Sequence, residues 1–133
     1  MSLAIDWDAL FVAAETARKR AHARYSNFQV GAALFCDDGS IIAGCNVENA
    51  SYGLTLCAER NAVGHMVCEG KKLVAVAIVV DSVKPTPPCG MCRQVMAEFG
   101  PASMEVRSRN LAGAEERYTL GTLLPHAFTA EFL

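Results

Sequence analysis

Two cysteines three positions apart, Cys89 and Cys92 in "PPCGMC", form the densest metal-binding signal in the chain. A C-x-x-C at a loop-to-helix junction brings two thiolates to one tetrahedral zinc ion, and N–H groups at the helix start stabilise their charge. The same spacing serves a thioredoxin-like redox pair, and cysteine also packs well as a small buried hydrophobe. A third cysteine, Cys57 in "TLCAERNAV", falls at the start of another expected helix. Three protein ligands leave a fourth position for water, the pattern of a catalytic rather than a structural zinc. Glu59, two residues on, then acquires a role: a carboxylate beside a zinc-bound water accepts its proton. Positions i and i+2 diverge on a regular helix, so both face one site only if Cys57 precedes the helix proper. Arg60 is either a surface residue or a guanidinium that withdraws charge from a thiolate. His65, two turns past Cys57, is a possible fourth ligand.

The surrounding elements are expected to carry these residues to one place. Residues 6 to 24 follow helical spacing through Trp7, Leu10, Phe11, Ala14 and Ala17, with Asp6 as N-cap. "FQVGAALFC" (28–36) and "IIAGCNV" (41–47) read as strands around an Asp38-Gly39 turn. A helix is expected from Cys57 to Cys68, stopped by Gly70. "LVAVAIVV" (73–80) reads as a strand buried on both faces. "KPTPP" is a stiff loop, "CGMCRQVMAEF" (89–99) a helix ended by Gly100-Pro101, and 104–108 a short strand. "NLAGAEER" reads as loop and 120–124 as a short helix. The order implies one α/β domain over 1–133, a three-layer α-β-α fold with a mixed sheet of about five strands. In such a sheet both cysteine-bearing helices start outside the strands' carboxyl ends, where sites in open α/β sheets form.

Composition excludes other classes. At 52% hydrophobic and 20% charged, the 133 residues are those of a globular protein rather than a disordered one. A net charge of −2 gives no basic face for nucleic acid. The one basic run, Arg18 to Arg20, suits a helix C-terminus. The longest apolar run falls short of the ~20 residues of a membrane span, and no signal peptide is read at the N-terminus. The expectation is a cytoplasmic protein whose six cysteines are thiols or metal ligands. Cys36, Cys45 and Cys68 are expected as buried packing thiols, and the three histidines as non-catalytic.

With "CAER" and "PCGMC" in this order, the chain resembles the cytidine deaminase family, in its short homotetrameric class with three cysteine ligands. "YSNFQVGAAL" (25–34), "GCNVENASYG" (44–53) and "LLPHAF" (123–128) are similar to the same family. Zinc deaminases of this kind use a glutamate that is not a ligand. The resemblance implies Cys57, Cys89 and Cys92 as ligands of one Zn2+ and Glu59 as general acid–base. The reaction implied is hydrolysis of cytidine or 2′-deoxycytidine to the uridine nucleoside and ammonia, by attack of an activated water on C4. It further implies ribose binding by Asn46 and Glu48, packing of Phe28 on the pyrimidine, and a base contact from the Ala58 backbone. Ala50, Tyr52 and Phe128 match positions that complete a neighbouring subunit's pocket in a homotetramer. The partner implied is a small-molecule nucleoside, with no nucleic acid and no membrane. Four rivals stand beside this reading: a same-fold deaminase for another aminopyrimidine such as blasticidin S, a polynucleotide-editing enzyme, which the short acidic chain disfavours, a structural zinc module, and a thiol redox protein. The last two have no use for Glu59.

Overall fold

A computed structural model describes residues 4–133. The first helix, α1 (Trp7–Arg18), is capped by Asp6, whose Oδ1 accepts from Ala9 N at 3.0 Å. Its apolar stripe buries Leu10, Phe11 and Ala14. It ends six residues earlier than its spacing suggests. Arg20 N and Ala21 N bond three residues back, tightening the last turn, and His22 then leaves to bridge Val47.

A hairpin follows, β1 (Val30–Cys36) and β2 (Ile41–Cys45). Gly39 takes φ 84°, a left-handed turn conformation that suits glycine. Then come α2 (Ala58–Cys68), β3 (Leu73–Val80), α3 (Gly90–Phe99), β4 (Glu105–Asn110), β5 (Glu115–Thr119) and α4 (Leu120–Leu123). Strand order is β2-β1-β3-β4-β5; β3 and β4 pair in parallel and the other neighbours are antiparallel. The expected mixed five-stranded sheet is present, but its fifth strand begins inside the stretch whose sequence reads as loop. In β5 the sequence EERYT is largely exposed at the sheet edge, so no apolar alternation marks it.

Two apolar layers enclose the sheet. On one face α1 packs on Ala33, Phe35, Ala75, Ala77 and Val79. On the other, α2 and α3 cover Leu34, Val76, Ile78, Val80 and Val106. The helices sit close because two strand residues lack a Cβ. One at Gly31 would fall 1.8 Å from Ala14 O, and one at Gly44 would fall 2.7 Å from Ala62 N.

Both β2 and β3 run antiparallel to β1, with Cys45 and Val79 opposite Gly31. Their carboxyl ends therefore share one edge of the sheet. Helices α2 and α3 both start there, and this brings distant cysteines together.

Candidate active site

Cys57 is the N-cap of α2 and Cys89 the N-cap of α3, each with extended backbone (φ −70°, ψ 155° and φ −66°, ψ 167°). Neither side chain accepts a capping hydrogen bond, so each sulfur is free to turn into the site. Cys92 follows in the first turn of α3. The Sγ atoms of Cys57 and Cys89 lie 3.7 Å apart and those of Cys89 and Cys92 3.4 Å apart. All three ligand atoms fall within 4.8 Å of one another. The extended cap also answers the spacing problem. Cys57 lies outside the helix, so Glu59, second in α2, need not diverge from it.

Electrostatics favour a cation at this point. The Cys57 thiol is held down to about 5, chiefly by hydrogen bonding from Cys92, with help from Arg60 and against burial. Cys92 is pushed up, because it gives that bond and is itself buried. The Cys57 sulfur is thus favoured as a thiolate beside the buried Cys92 thiol. Three converging thiol sulfurs are a donor set that suits zinc, which binds cysteine as thiolate. Arg60 places Nη2 3.4 Å from Cys57 Sγ and 3.4 Å from Thr55 O, so it reads as a partner of the thiolate rather than a surface charge. Its Nε is buried with no hydrogen-bond partner.

Beside the sulfurs opens a cleft of about 340 Å3. Glu59, only 5% exposed, lies in its wall. Burial pushes its carboxyl up, and the nearby Cys57 charge adds to this. Ala58 is buried at the first position of α2, where backbone N–H groups lack helical partners. Phe28, Asn46 and Glu48 line the same cleft. Asn46 is pinned from both ends: its Oδ1 accepts from Val30 N at 2.9 Å and its Nδ2 donates to Phe28 O at 2.8 Å. Glu48 Oε1 accepts from Tyr25 N (2.9 Å) and Ser26 N (3.1 Å), and its Oε2 from the Ser26 hydroxyl. These donors, the hydroxyl foremost, hold its carboxyl below the usual range.

Some expected residues stay apart. Ala50 is exposed, Tyr52 is 76% exposed against Tyr25, and Phe128 is 61% exposed and stacked on Phe132. None lines the cleft of its own chain. His65 points outward and pairs with Glu69 at 3.2 Å. Of the three expected packing thiols only Cys36 is buried; Cys45 is half-buried and Cys68 exposed. Cys68 ends α2 off the face carrying Ala58, Ala62 and Met66. The sequence reading missed Thr55, Thr86, Pro87 and Ser26 in the cleft wall and Val30, Ile78 and Val80 beneath it. Ser26 and Val30 lie within 25–34, and Thr55 and Pro87 within the quoted stretches around the cysteines; Thr86, Ile78 and Val80 carry no signal for the site. Among the described residues, no helix is long and apolar enough to cross a membrane.

The comparisons with known proteins agree with this geometry. The family model for the cytidine and deoxycytidylate deaminase zinc-binding region matches residues 6–107. Cytidine deaminase of Halalkalibacterium halodurans is 53% identical over 128 residues, 96% of this chain and 97% of that protein. The enzyme of the same name from Sporosarcina psychrophila is 46% identical over 130 residues, 97% and 96% of the two chains. A crystal structure of cytidine deaminase from Burkholderia pseudomallei superposes with a TM-score of 0.89 at 47% identity, covering 93% of this chain and 100% of that one. Blasticidin-S deaminase from Bacillus cereus is more distant, 33% identical over 109 residues, 75% and 76% of the two chains. Sulfurs that meet at two helix starts, and a match running across most of the sequence, lead to one assignment: this chain belongs to the cytidine and deoxycytidylate deaminase family.

Proposed function

We propose that the chain catalyses zinc-dependent hydrolytic deamination of cytidine and 2′-deoxycytidine to uridine and 2′-deoxyuridine, releasing ammonia. The observation that carries this reading is a buried carboxylate, Glu59, in the wall of a nucleoside-sized cleft beside three converging cysteine sulfurs. Cys57, Cys89 and Cys92 hold one Zn2+ per chain. When bound, the metal supplies Lewis acidity that makes a water molecule nucleophilic near neutral pH.

The chain's own residues do the rest. Glu59 accepts a proton from the attacking water and delivers it to N3 of the pyrimidine as the water oxygen adds at C4. It then takes the remaining proton from the hydroxyl added at C4 and passes it to the amino nitrogen, which leaves as ammonia as the C4–N bond breaks and the C4 carbonyl forms, so one carboxylate serves twice. Phe28 packs on the ring, and the Ala58 backbone contacts the base. Asn46 and Glu48 take the ribose hydroxyls; the donors on Glu48 keep it ionised as an acceptor. Arg60 withdraws charge from Cys57, which tempers the electron-rich thiolate set.

We also assign the chain to a cytoplasmic homotetramer acting in pyrimidine salvage. Tyr52 and Phe128, exposed on their own chain, are available to a neighbour's cleft, where aromatic cover excludes water. Six free thiols fit a reducing compartment.

The test is an ultraviolet assay on zinc-loaded protein. Loss of cytidine absorbance with equimolar ammonia is expected, and failure to turn over either cytidine or deoxycytidine refutes the proposal. Specificity constants for cytidine and blasticidin S, measured side by side, separate the rival substrate; higher values for cytidine are expected.

A further inference from the structure

The connection from β3 to α3, residues 81–88, delivers Cys89 to the site and places Thr86 and Pro87 in the cleft wall. Its internal bonds come from one side chain: the Ser82 hydroxyl donates to Lys84 O and lies 3.1 Å from Thr86 Oγ1. Prolines at 85, 87 and 88 remove three amide donors, and the segment belongs to no strand or helix. Three further carbonyls, those of Val83, Thr86 and Pro88, are held by side chains from other elements. Ser108 Oγ donates to Thr86 O at 2.8 Å, and Asn110 Nδ2 donates to Val83 O at 3.0 Å. From α3, Arg93 Nε donates to Pro88 O at 2.7 Å and its Nη1 to Leu123 O at 2.7 Å.

Ser108 and Asn110 are unusual where they stand. They continue the row of Val106 on the buried face of β4, at 0% and 7% exposure. An apolar pair there would serve packing alone, since a buried hydroxyl or amide needs a partner to offset its desolvation. Asn110 is itself preset: its Oδ1 accepts from Ala114 N at 2.9 Å and its backbone N donates to Ala114 O at 3.1 Å, which aims Nδ2 at the connection.

We propose that Ser108 and Asn110 are positioning residues for the reaction. From β4 they clasp the 81–88 connection by its carbonyls, and so fix Thr86 and Pro87 over the cleft and Cys89 at the metal. Neither touches the metal-binding sulfurs or the substrate space. The inference rests on the zinc-site reading above and adds a support not supplied by the two helix starts.

The experiment measures zinc release from loaded protein to a chromogenic chelator, well below the melting temperature, with KM and kcat for cytidine in parallel. Ser108→Ala removes one oxygen and leaves the shape. Asn110→Asp keeps the acceptor for Ala114 and removes the donor to Val83. Leu10→Val, in the α1 layer, is the control that lowers melting temperature without touching the connection. The two clasp variants are expected to release zinc about tenfold faster than wild type, as loss of an outer partner typically does, and to raise KM. Leu10→Val is expected to release zinc at the wild-type rate. Release from the clasp variants no faster than from Leu10→Val overturns the proposal. If Asn110→Asp does not fold, Ser108→Ala decides alone. The release rates do not depend on which nucleoside is turned over, so failure on cytidine refutes the function and leaves the clasp separately tested.

Discussion

The two faces of the sheet bury side chains of different kinds. Under α1 the buried residues are apolar: Leu10, Phe11 and Ala14 on Ala33, Phe35, Ala75, Ala77 and Val79. Glu59, Asn46, Ser108 and Asn110, the buried polar side chains among the described residues, belong to the other face. Burying a polar group costs free energy unless it is partnered, and burying a carboxylate costs more. The α1 face needs no such groups and contributes stability alone. The α2/α3 face accepts the cost where helix starts, the proline-rich connection and the cleft meet. Structure and chemistry are thus divided between two layers of one sheet.

Substitutions on each face can break or sharpen this division. The largest effect is expected from Glu59→Gln. Removing the proton carrier should lower kcat by about 10³-fold, within the range for general acid–base catalysis, with zinc content unchanged. Full retained activity would sink the acid–base role. Leu10→Ala, on the apolar face, should lose about 2–5 kcal/mol of stability through a core cavity, yet leave kcat/KM of the folded enzyme unaltered. A matching loss of kcat/KM would show that the α1 layer is not catalytically silent. Arg60→Gln should weaken zinc affinity or kcat by about 10- to 100-fold, the usual cost of losing a partner to a metal ligand. A zinc titration at constant pH reads the first quantity.

The smallest effect is a difference in pH dependence. In chelator-treated protein the folded state raises the Glu59 carboxyl, so it binds that proton more tightly than the unfolded chain. Its stabilising contribution is present below the unfolded value near 4.3 and lost as pH rises through the raised folded value. Cys57, held down to about 5, contributes an opposite slope common to both proteins. Glu59→Gln should therefore stabilise the metal-free protein more at pH 7 than at pH 4, as read by denaturant midpoints. Equal midpoint shifts at the two pH values would contradict the buried-carboxylate account.

Much of the site was legible because chemistry and topology repeat simple rules. The convergence of Cys57 with Cys89 and Cys92 followed from two helices that each leave the carboxyl end of a strand, and β2 and β3 do run the same way. The strand at 73–80 was visible because a run of eight apolar residues, rich in valine, has few other uses. Less visible were features that depend on partners distant in sequence. Strand β5 is held by pairing with β4 and by exposed charge pairs such as Arg117 with Glu115, so its own residues carry no burial pattern. The end of α1 is set by the bridge between His22 and Val47. Cys68 looked like a packing thiol by residue type, but its place at the end of α2 exposes it. Ser108 and Asn110 gave no signal at all: their role appears only once the 81–88 connection lies against them.

The central claim is that zinc at the three cysteines and deamination at the adjoining cleft are one function. It is tested most directly by stripping the metal and restoring it stepwise while cytidine absorbance is followed. Activity is expected to rise in proportion to added zinc and to level off at one equivalent per chain. Full turnover by the stripped protein, or uptake of one zinc per chain without deamination, would contradict it.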